Sequence, residues 1–179
     1  KWSLNEDTGV LHISGSGEMS DYHPADGLES PWHDYAASIK SVIIGSGVKT
    51  VGNYAFAGLK NLSSIEINAE LKRLGDGAFY GCTALSDVEG IEGVRIIGND
   101  CFRGCSALST IGIPSGCTSV GSYAFAGTAI KSISVPKSVS NIGEGAFSGC
   151  KKLSRAALRH FVRVRLAVFR LHGSRGVLR

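Results

Sequence analysis

The sequence predicts a β-rich α/β solenoid of about five stacked coils of 22–23 residues, on the basis of two observations. Two separate series of apolar residues recur along the chain with one shared period. In addition, Gly accounts for 24 of the 179 residues while 43% of residues are hydrophobic, so the chain is rich in turns and still able to form a core. Because self-similarity at a fixed period is the signature of a repeat architecture, it takes precedence over other patterns.

The first series consists of Phe residues, each ending a short Gly-containing segment, at spacings of 23, 23, 23 and 22 residues. The second series is aliphatic and steps by 23, 23, 23, 22 and 23 residues. The single spacing of 22 falls at the same place in both series, as expected of a one-residue deletion. The two series are Phe56, Phe79, Phe102, Phe125 and Phe147, and Ile39, Leu62, Leu85, Leu108, Ile130 and Leu153.

Residues 1–38 are predicted to form an N-terminal cap. The alternating run from Val10 to Ile13 and the preceding turn predict a β-hairpin, and Trp2 and Trp32 are expected to cover the exposed core of the first coil. One loop of the cap is crowded with His and carboxylate side chains, a set that suits divalent ions. We interpret it as a polar surface loop and expect no metal. The loop contains Asp21, His23, Asp26, Glu29, His33 and Asp34.

Residues 39–153 are predicted to form the solenoid itself. In each coil a pair such as Ile65 and Ile67 has the period of two expected of a strand with alternate side chains buried, so one strand per coil is expected. A Gly four residues before each Phe, such as Gly75, predicts a tight bend. One coil buries too few side chains to offset its loss of backbone entropy, so stability must come from stacking.

The repeated pattern, I-x-x-V-x-I-x-x-x-V-x-x-V-G-x-x-A-F-x-G followed by C-x-x-L, resembles the BspA-like class of leucine-rich repeats over residues 39–153. The upstream segments WSLNEDTGVLHISGSGEMSDY and SPWHDY are similar to the region that precedes such arrays in bacterial surface proteins. The resemblance implies a leucine-rich repeat fold, export, display on a bacterial surface and a role in adhesion.

The repeat pattern fails in residues 154–179. Continuing it would bury Arg165 and Arg170 without partners, which is costly, so the solenoid is expected to end near Leu153. Residues 155–179 carry seven Arg and no acidic residue. Three interpretations fit this tail: an amphipathic helix that caps the array, an amphipathic helix that lies on an anionic membrane, or a non-native extension such as out-of-frame translation.

Catalytic and metal-binding chemistry is not predicted. The five Cys residues fall on repeat positions, so we expect buried free thiols rather than disulfides or zinc ligands. No Ser–His–Asp or Cys–His group has catalytic spacing, and the Gly pairs lack the G-K-[ST] of a phosphate-binding loop, so we expect neither an enzyme nor a cofactor. The cysteines are Cys82, Cys101, Cys105, Cys117 and Cys150.

Two surfaces are predicted to bind ligands. The outward side chains of the strands should align into a ladder across the coils, and a row of Tyr and Arg should project from the bend that contains the Phe, where it resembles the anchors of tight interfaces. The ladder would comprise Ser41, Ile43, Ser64, Glu66, Asp87, Glu89, Thr110, Ser132 and Ser134, and the row would comprise Tyr54, Tyr80, Arg103 and Tyr123.

The predicted function is a non-catalytic interaction module, secreted or on a bacterial surface, that binds protein or glycan ligands on host or neighbouring cells. The alternative is a targeting module from a larger secreted hydrolase. Residues 1–154 hold 12 basic and 15 acidic residues, which disfavours nucleic acid as a partner. Membrane contact is expected only through the tail, and an exposed last coil would favour end-to-end self-association.

Overall fold

The computed structural model describes residues 1–154, so the predictions for residues 155–179 lie outside the described residues. Short strands follow one another along the chain, and the longest have four residues. The strands are β1 (Trp2–Asn5), β2 (Val10–Ile13), β3 (Gly17–Glu18), β4 (Ser41–Ile44), β5 (Val48–Val51), β6 (Ser64–Ile67), β7 (Arg73–Leu74), β8 (Asp87–Glu89), β9 (Ile96–Ile97), β10 (Ser119–Val120) and β11 (Asn141–Ile142).

Two sheets run along the solenoid. Sheet A has the order β1-β2-β4-β6-β8, and sheet B has the order β11-β10-β9-β7-β5-β3. All pairs are parallel except β1 with β2. The prediction of one strand per coil was therefore wrong: the early coils contribute one strand to each sheet, and the second follows the first after a short turn.

The α part of the predicted α/β class is not observed in residues 1–154. The helical elements there are two 3-10 turns in the cap, Pro24–Asp26 and His33–Tyr35. The segment that joins the sheet B strand of one coil to the start of the next coil is instead a series of turns. Its first run of turns ends at a glycine with positive φ, such as Gly58 at +75°, a conformation that favours Gly and stops helical growth.

A column of stacked aromatic rings forms the centre of the core. The repeated Phe side chains are almost completely buried, and successive ring centroids lie 5.2–5.6 Å apart with interplanar angles of 2–15°. Aromatic pairs contribute about 0.5–1.5 kcal/mol each beyond their buried area. The column is therefore a continuous link between coils that lie far apart in sequence.

The cap continues both the sheets and the column. Strands β1 and β2 form the predicted antiparallel hairpin, and β2 pairs in parallel with β4 of the first coil. The indole of Trp32 stacks on Phe56 with centroids 5.4 Å apart and donates to the carbonyl oxygen of Ala55 at 2.9 Å. Trp2 is 36% exposed and meets Trp32 edge-on. Trp32 thus covers the first Phe, and Trp2 covers Trp32.

The glycines that precede the Phe turn are needed for a different reason from the one predicted. The predicted bend is present, since Ala55 and Ala78 donate to the carbonyl oxygens of Gly52 and Gly75 at 3.4 and 3.3 Å, but these glycines do not have positive φ. A Cβ on Gly75 would lie 2.6 Å from the carbonyl carbon of Gly52, the equivalent residue of the preceding coil. These positions are glycine because the backbones of adjacent coils approach each other closely there.

A series of side chains accepts hydrogen bonds from backbone N–H groups of the next coil. At the position after this glycine, the side-chain oxygen accepts a hydrogen bond from the backbone N–H one coil later. Asn53 accepts from Asp76 at 2.7 Å, Asp76 from Asn99 at 2.9 Å, and Asn99 from Ser122 at 2.8 Å. These hydrogen bonds were not predicted from the sequence. The recurrence of Asn or Asp after Gly, with an oxygen that can accept, was the signal that could have revealed them.

Candidate functional site

Sheet A carries six of the nine predicted ladder residues on strands β4, β6 and β8. They line a shallow groove of about 160 Å³, together with the edges of Val42 and Ile65. The ladder residues in this groove are Ser41, Ile43, Ser64, Glu66, Asp87 and Glu89. The structure therefore brings this part of the predicted ladder together.

The groove is acidic at one end. Glu66 and Glu89 are direct neighbours in the register of β6 and β8, and Asp87 is next to Ser64. Asn68 donates to Glu66 at 2.8 Å. Carboxylates on directly opposed strand positions repel each other, so the groove favours a cationic or hydrogen-bond-donating ligand.

The other three predicted ladder residues, Thr110, Ser132 and Ser134, do not lie on described strands. The last strand of sheet A, β8, ends before Gly90, which has φ of +83°. In the following coils Pro114 and Pro136 have no backbone N–H to donate to a neighbouring strand. The prediction that the strand ladder continues to the last coil was therefore wrong.

Three members of the predicted Tyr–Arg row form one cluster. The guanidinium carbon of Arg103 lies 5.9 Å from the ring centroid of Tyr80 and 5.3 Å from that of Tyr123. Tyr80 is 43% exposed. Cation–π contacts of this kind contribute about 0.5–1 kcal/mol each at exposed sites. We call Tyr80, Arg103 and Tyr123 the Tyr–Arg cluster.

Asp100 holds the arginine of the cluster in place. Arg103 Nη1 donates to Asp100 Oδ1 at 2.9 Å. This hydrogen bond raises the pKa of Arg103 above its ordinary value, with a smaller opposing effect from partial burial. The guanidinium is therefore charged and fixed in position, although 47% of its side chain is exposed.

Tyr54, the fourth member of the row, lies elsewhere. Its ring is 6.2 Å from that of His23 in the cap. Tyr54 and Tyr123 share a left-handed backbone position, with φ of 52° and 55°. A Cβ on Gly77 would lie 2.5 Å from Cδ1 of Tyr54, and one on Gly145 would lie 2.7 Å from Cδ1 of Tyr123. Each Tyr ring thus covers the glycine of the next coil, and this pairing was not predicted from the sequence.

The His and carboxylate side chains of the cap loop do not come together at one point. His33 pairs with Glu29 at 3.4 Å, whereas Asp21 accepts a hydrogen bond from the backbone of Asn53 at 2.7 Å. Within residues 1–154 no group of three or more His, Cys, Asp or Glu side chains is arranged to hold a metal ion.

All five cysteines are buried free thiols. Cys82 and Cys105, one coil apart, donate to the carbonyl oxygens of Phe56 and Phe79 at 3.0 and 3.2 Å. Burial raises the pKa of Cys82, and it raises the pKa of Cys105 to about 12. The thiols therefore serve as small core residues that hydrogen-bond between coils.

These thiols are expected to be unreactive in the folded protein. With a disulfide reagent at a pH near the ordinary thiol pKa of about 8.5, we expect almost no reaction until denaturant is added. All five thiols should then react.

Because ionisation of these thiols is favoured only in the unfolded chain, the free energy of unfolding should fall as the pH rises above about 8.5. Rapid labelling of two or more thiols in the native protein would contradict the buried arrangement.

The parallel sheets, the period of 22–23 residues and the Phe column define a leucine-rich repeat solenoid. A family model described as a BspA type leucine-rich repeat region matches residues 32–154 with six copies of the repeat. The chain belongs to this family, as the sequence pattern predicted.

Solved structures of bacterial proteins share the fold. A leucine-rich repeat protein from Eubacterium ventriosum is 31% identical with a TM-score of 0.76, covering 86% of this chain and 40% of its own. One from Bacteroides ovatus is 26% identical with a TM-score of 0.64, covering 86% and 38%. A leucine-rich cell surface protein from Faecalibacterium prausnitzii is 26% identical with a TM-score of 0.60, covering 86% and 51%.

The chain thus spans two fifths to one half of the length of these three proteins. No curated protein sequence gives a significant match. In residues 1–154, no helix has the length and apolar character needed to cross a lipid bilayer.

Proposed function

We propose that this chain is a non-catalytic interaction module of a bacterial surface or secreted protein, and that it mediates adhesion by binding a protein ligand through the Tyr–Arg cluster. The surface location is supported by the similarity to the cell surface protein from F. prausnitzii. The non-catalytic role is supported by the cysteines, since burial raises the pKa of these potential nucleophiles.

The fixed position of Arg103 between Tyr80 and Tyr123 is the observation that carries the proposal. Tyr and Arg are enriched among the residues that dominate protein interfaces. Because the rings and Asp100 already hold the guanidinium, binding would immobilise little additional side-chain freedom. The acidic groove of sheet A has no comparable aromatic anchor among its lining residues.

The test compares adhesion of the full chain and its variants to an extracellular-matrix coat left by cultured epithelial cells. Arg103→Ala should weaken binding by about tenfold, which corresponds to about 1.4 kcal/mol. The matched control is Lys60→Ala, because it also removes one exposed positive charge but lies outside the Tyr–Arg cluster. Circular dichroism should show the same thermal transition for both variants.

Treatment of the coat separates the ligand classes. Protease digestion should abolish the part of the binding that depends on Arg103, and periodate oxidation of sugars should leave it. The proposal is refuted if Arg103→Ala adheres as well as the unmodified chain, and the opposite pattern of treatments would assign the cluster to glycan. A role as the targeting module of a larger hydrolase stays a prediction.

A further inference from the structure

A row of cationic side chains crosses sheet B. Lys49 lies in β5, Lys72 immediately before β7 and Arg95 immediately before β9, and all three are exposed. The backbone N–H of Lys72 donates to the carbonyl oxygen of Lys49 at 2.9 Å, and that of Arg95 to Lys72 at 3.0 Å. The three residues therefore occupy equivalent positions in consecutive coils, about 4.8 Å apart. We call them the cationic row.

The cationic row is not neutralised by ion pairs within the described part of the chain, although Glu18 of β3 pairs in register with Thr50, next to Lys49. Neither Lys49, Lys72 nor Arg95 forms an ion pair with residues 1–154, whereas Arg73 and Arg103 each pair with an Asp. The nearest acidic residues along the chain, Glu70 and Glu92, lie on the turns that precede the row and are exposed. Like charges on adjacent strand positions repel, so a bound anion would relieve a repulsion built into the folded state.

The surroundings of the row suit a polymer that lies across the coils. In the next two coils the same position is taken by Thr118 and Ser140, whose backbone N–H groups continue the hydrogen-bonded series at 2.8 and 3.0 Å. Beside the row, Arg73 and Ile96 are paired in register, and Ile96 is 42% exposed. A linear strip thus offers several cations and one apolar contact, while the hydroxyls of Thr118 and Ser140 already donate to the carbonyl oxygens of Arg95 and Thr118 at 3.2 Å.

We propose that the cationic row binds a linear anionic polysaccharide, with its carboxylate or sulfate groups placed against successive coils. The spacing of one cation per coil matches a ligand that carries charge at regular intervals. Nucleic acid is disfavoured because the row contains no aromatic side chain on which a base could stack. A basic nucleic-acid surface is also broader than one row. This site uses other residues than the Tyr–Arg cluster and does not depend on it.

Binding of fluorescein-labelled heparin to the full chain tests the site. Anisotropy titrations would compare a variant carrying Lys49→Gln, Lys72→Gln and Arg95→Gln with a control carrying Lys60→Gln, Lys137→Gln and Lys151→Gln, three other exposed lysines. Both variants lose three positive charges. The row variant should bind about tenfold more weakly, and its salt slope should fall by about 2–3. The control should change little, and a 20-mer of thymidine should compete poorly.

Acetylation of the lysines, followed by mass spectrometry, shows where heparin binds. Heparin should protect Lys49 and Lys72 from acetylation and leave Lys60, Lys137 and Lys151 reactive. Residues 155–179 contain seven Arg and no Lys, so acetylation reports on contacts of residues 1–154 alone. Equal heparin affinities for the two variants, or no protection of Lys49 and Lys72, would overturn the site. Competition by the oligonucleotide as strong as by unlabelled heparin would overturn the ligand class.

Discussion

Replacement of Phe102 by Ala should lower the free energy of unfolding by about 3–5 kcal/mol, the usual cost of removing a buried aromatic side chain. Phe102 is fully buried in the middle of the column. Its ring centroid lies 5.2 Å from that of Phe79 and 5.5 Å from that of Phe125, so the substitution removes two stacked pairs and leaves a cavity between coils.

The effect on cooperativity should be as informative as the effect on stability. In a solenoid each coil contacts only its neighbours, so a weakened central interface uncouples the two ends. Urea denaturation of the unmodified chain, followed by circular dichroism, should show one transition. The Phe102→Ala variant should show a broader or double transition.

Ile96→Ala is the matched control, since it removes an apolar side chain from the same coil at a position that is 42% exposed. We expect its free energy of unfolding to change by no more than about 0.5 kcal/mol. If Phe102→Ala were as mild as Ile96→Ala, the Phe column would not be the structure that joins the coils.

The stacking of coils could be predicted because the residues that repeat with the period are all buried. The second sheet could not be predicted from the sequence. Strands β7 and β9 have only two residues each, too few to show an alternation of buried and exposed side chains. In β5 the buried residues are Val48 and Val51, three positions apart, which differs from the spacing of two that identifies a strand.

The candidate site was predicted in part for a similar reason. Tyr80 and Arg103 occupy the position after Phe, whereas Tyr123 lies two positions before Phe. Their convergence depends on the left-handed backbone at Tyr123, with φ of 55°, a conformation that non-glycine residues rarely adopt. The sequence therefore indicated the residue types of the cluster, and the backbone conformation determines which of them meet.

The glycines of the repeat were located correctly from the sequence, but their physical role required the structure. A bend that needs positive φ and a close approach of two backbones both select Gly. The two explanations differ in what a methyl group would meet. At Gly58 nothing lies within 4 Å of a Cβ and only φ is unfavourable, whereas at Gly98 the space itself is occupied.

Gly98→Ala should therefore destabilise the fold strongly, by about 3 kcal/mol or more. The added Cβ would lie 2.6 Å from the carbonyl carbon of Gly75 and 2.7 Å from the backbone nitrogen of Asp76 in the preceding coil. Backbone atoms cannot turn aside as a flexible side chain can. To accept the methyl group the two coils must separate, which would weaken the hydrogen bond from Gly98 to Leu74 and that from Asn99 to Asp76.

Gly112→Ala provides the control for this prediction. Gly112 does not have positive φ, and a Cβ at this position would meet no atom within 4 Å, so the free energy of unfolding should change by less than about 1 kcal/mol. Urea denaturation measures both variants under the same conditions. Equal stabilities for Gly98→Ala and Gly112→Ala would show that the coils can separate at little cost, and close backbone approach would then not explain why this position is glycine in every coil.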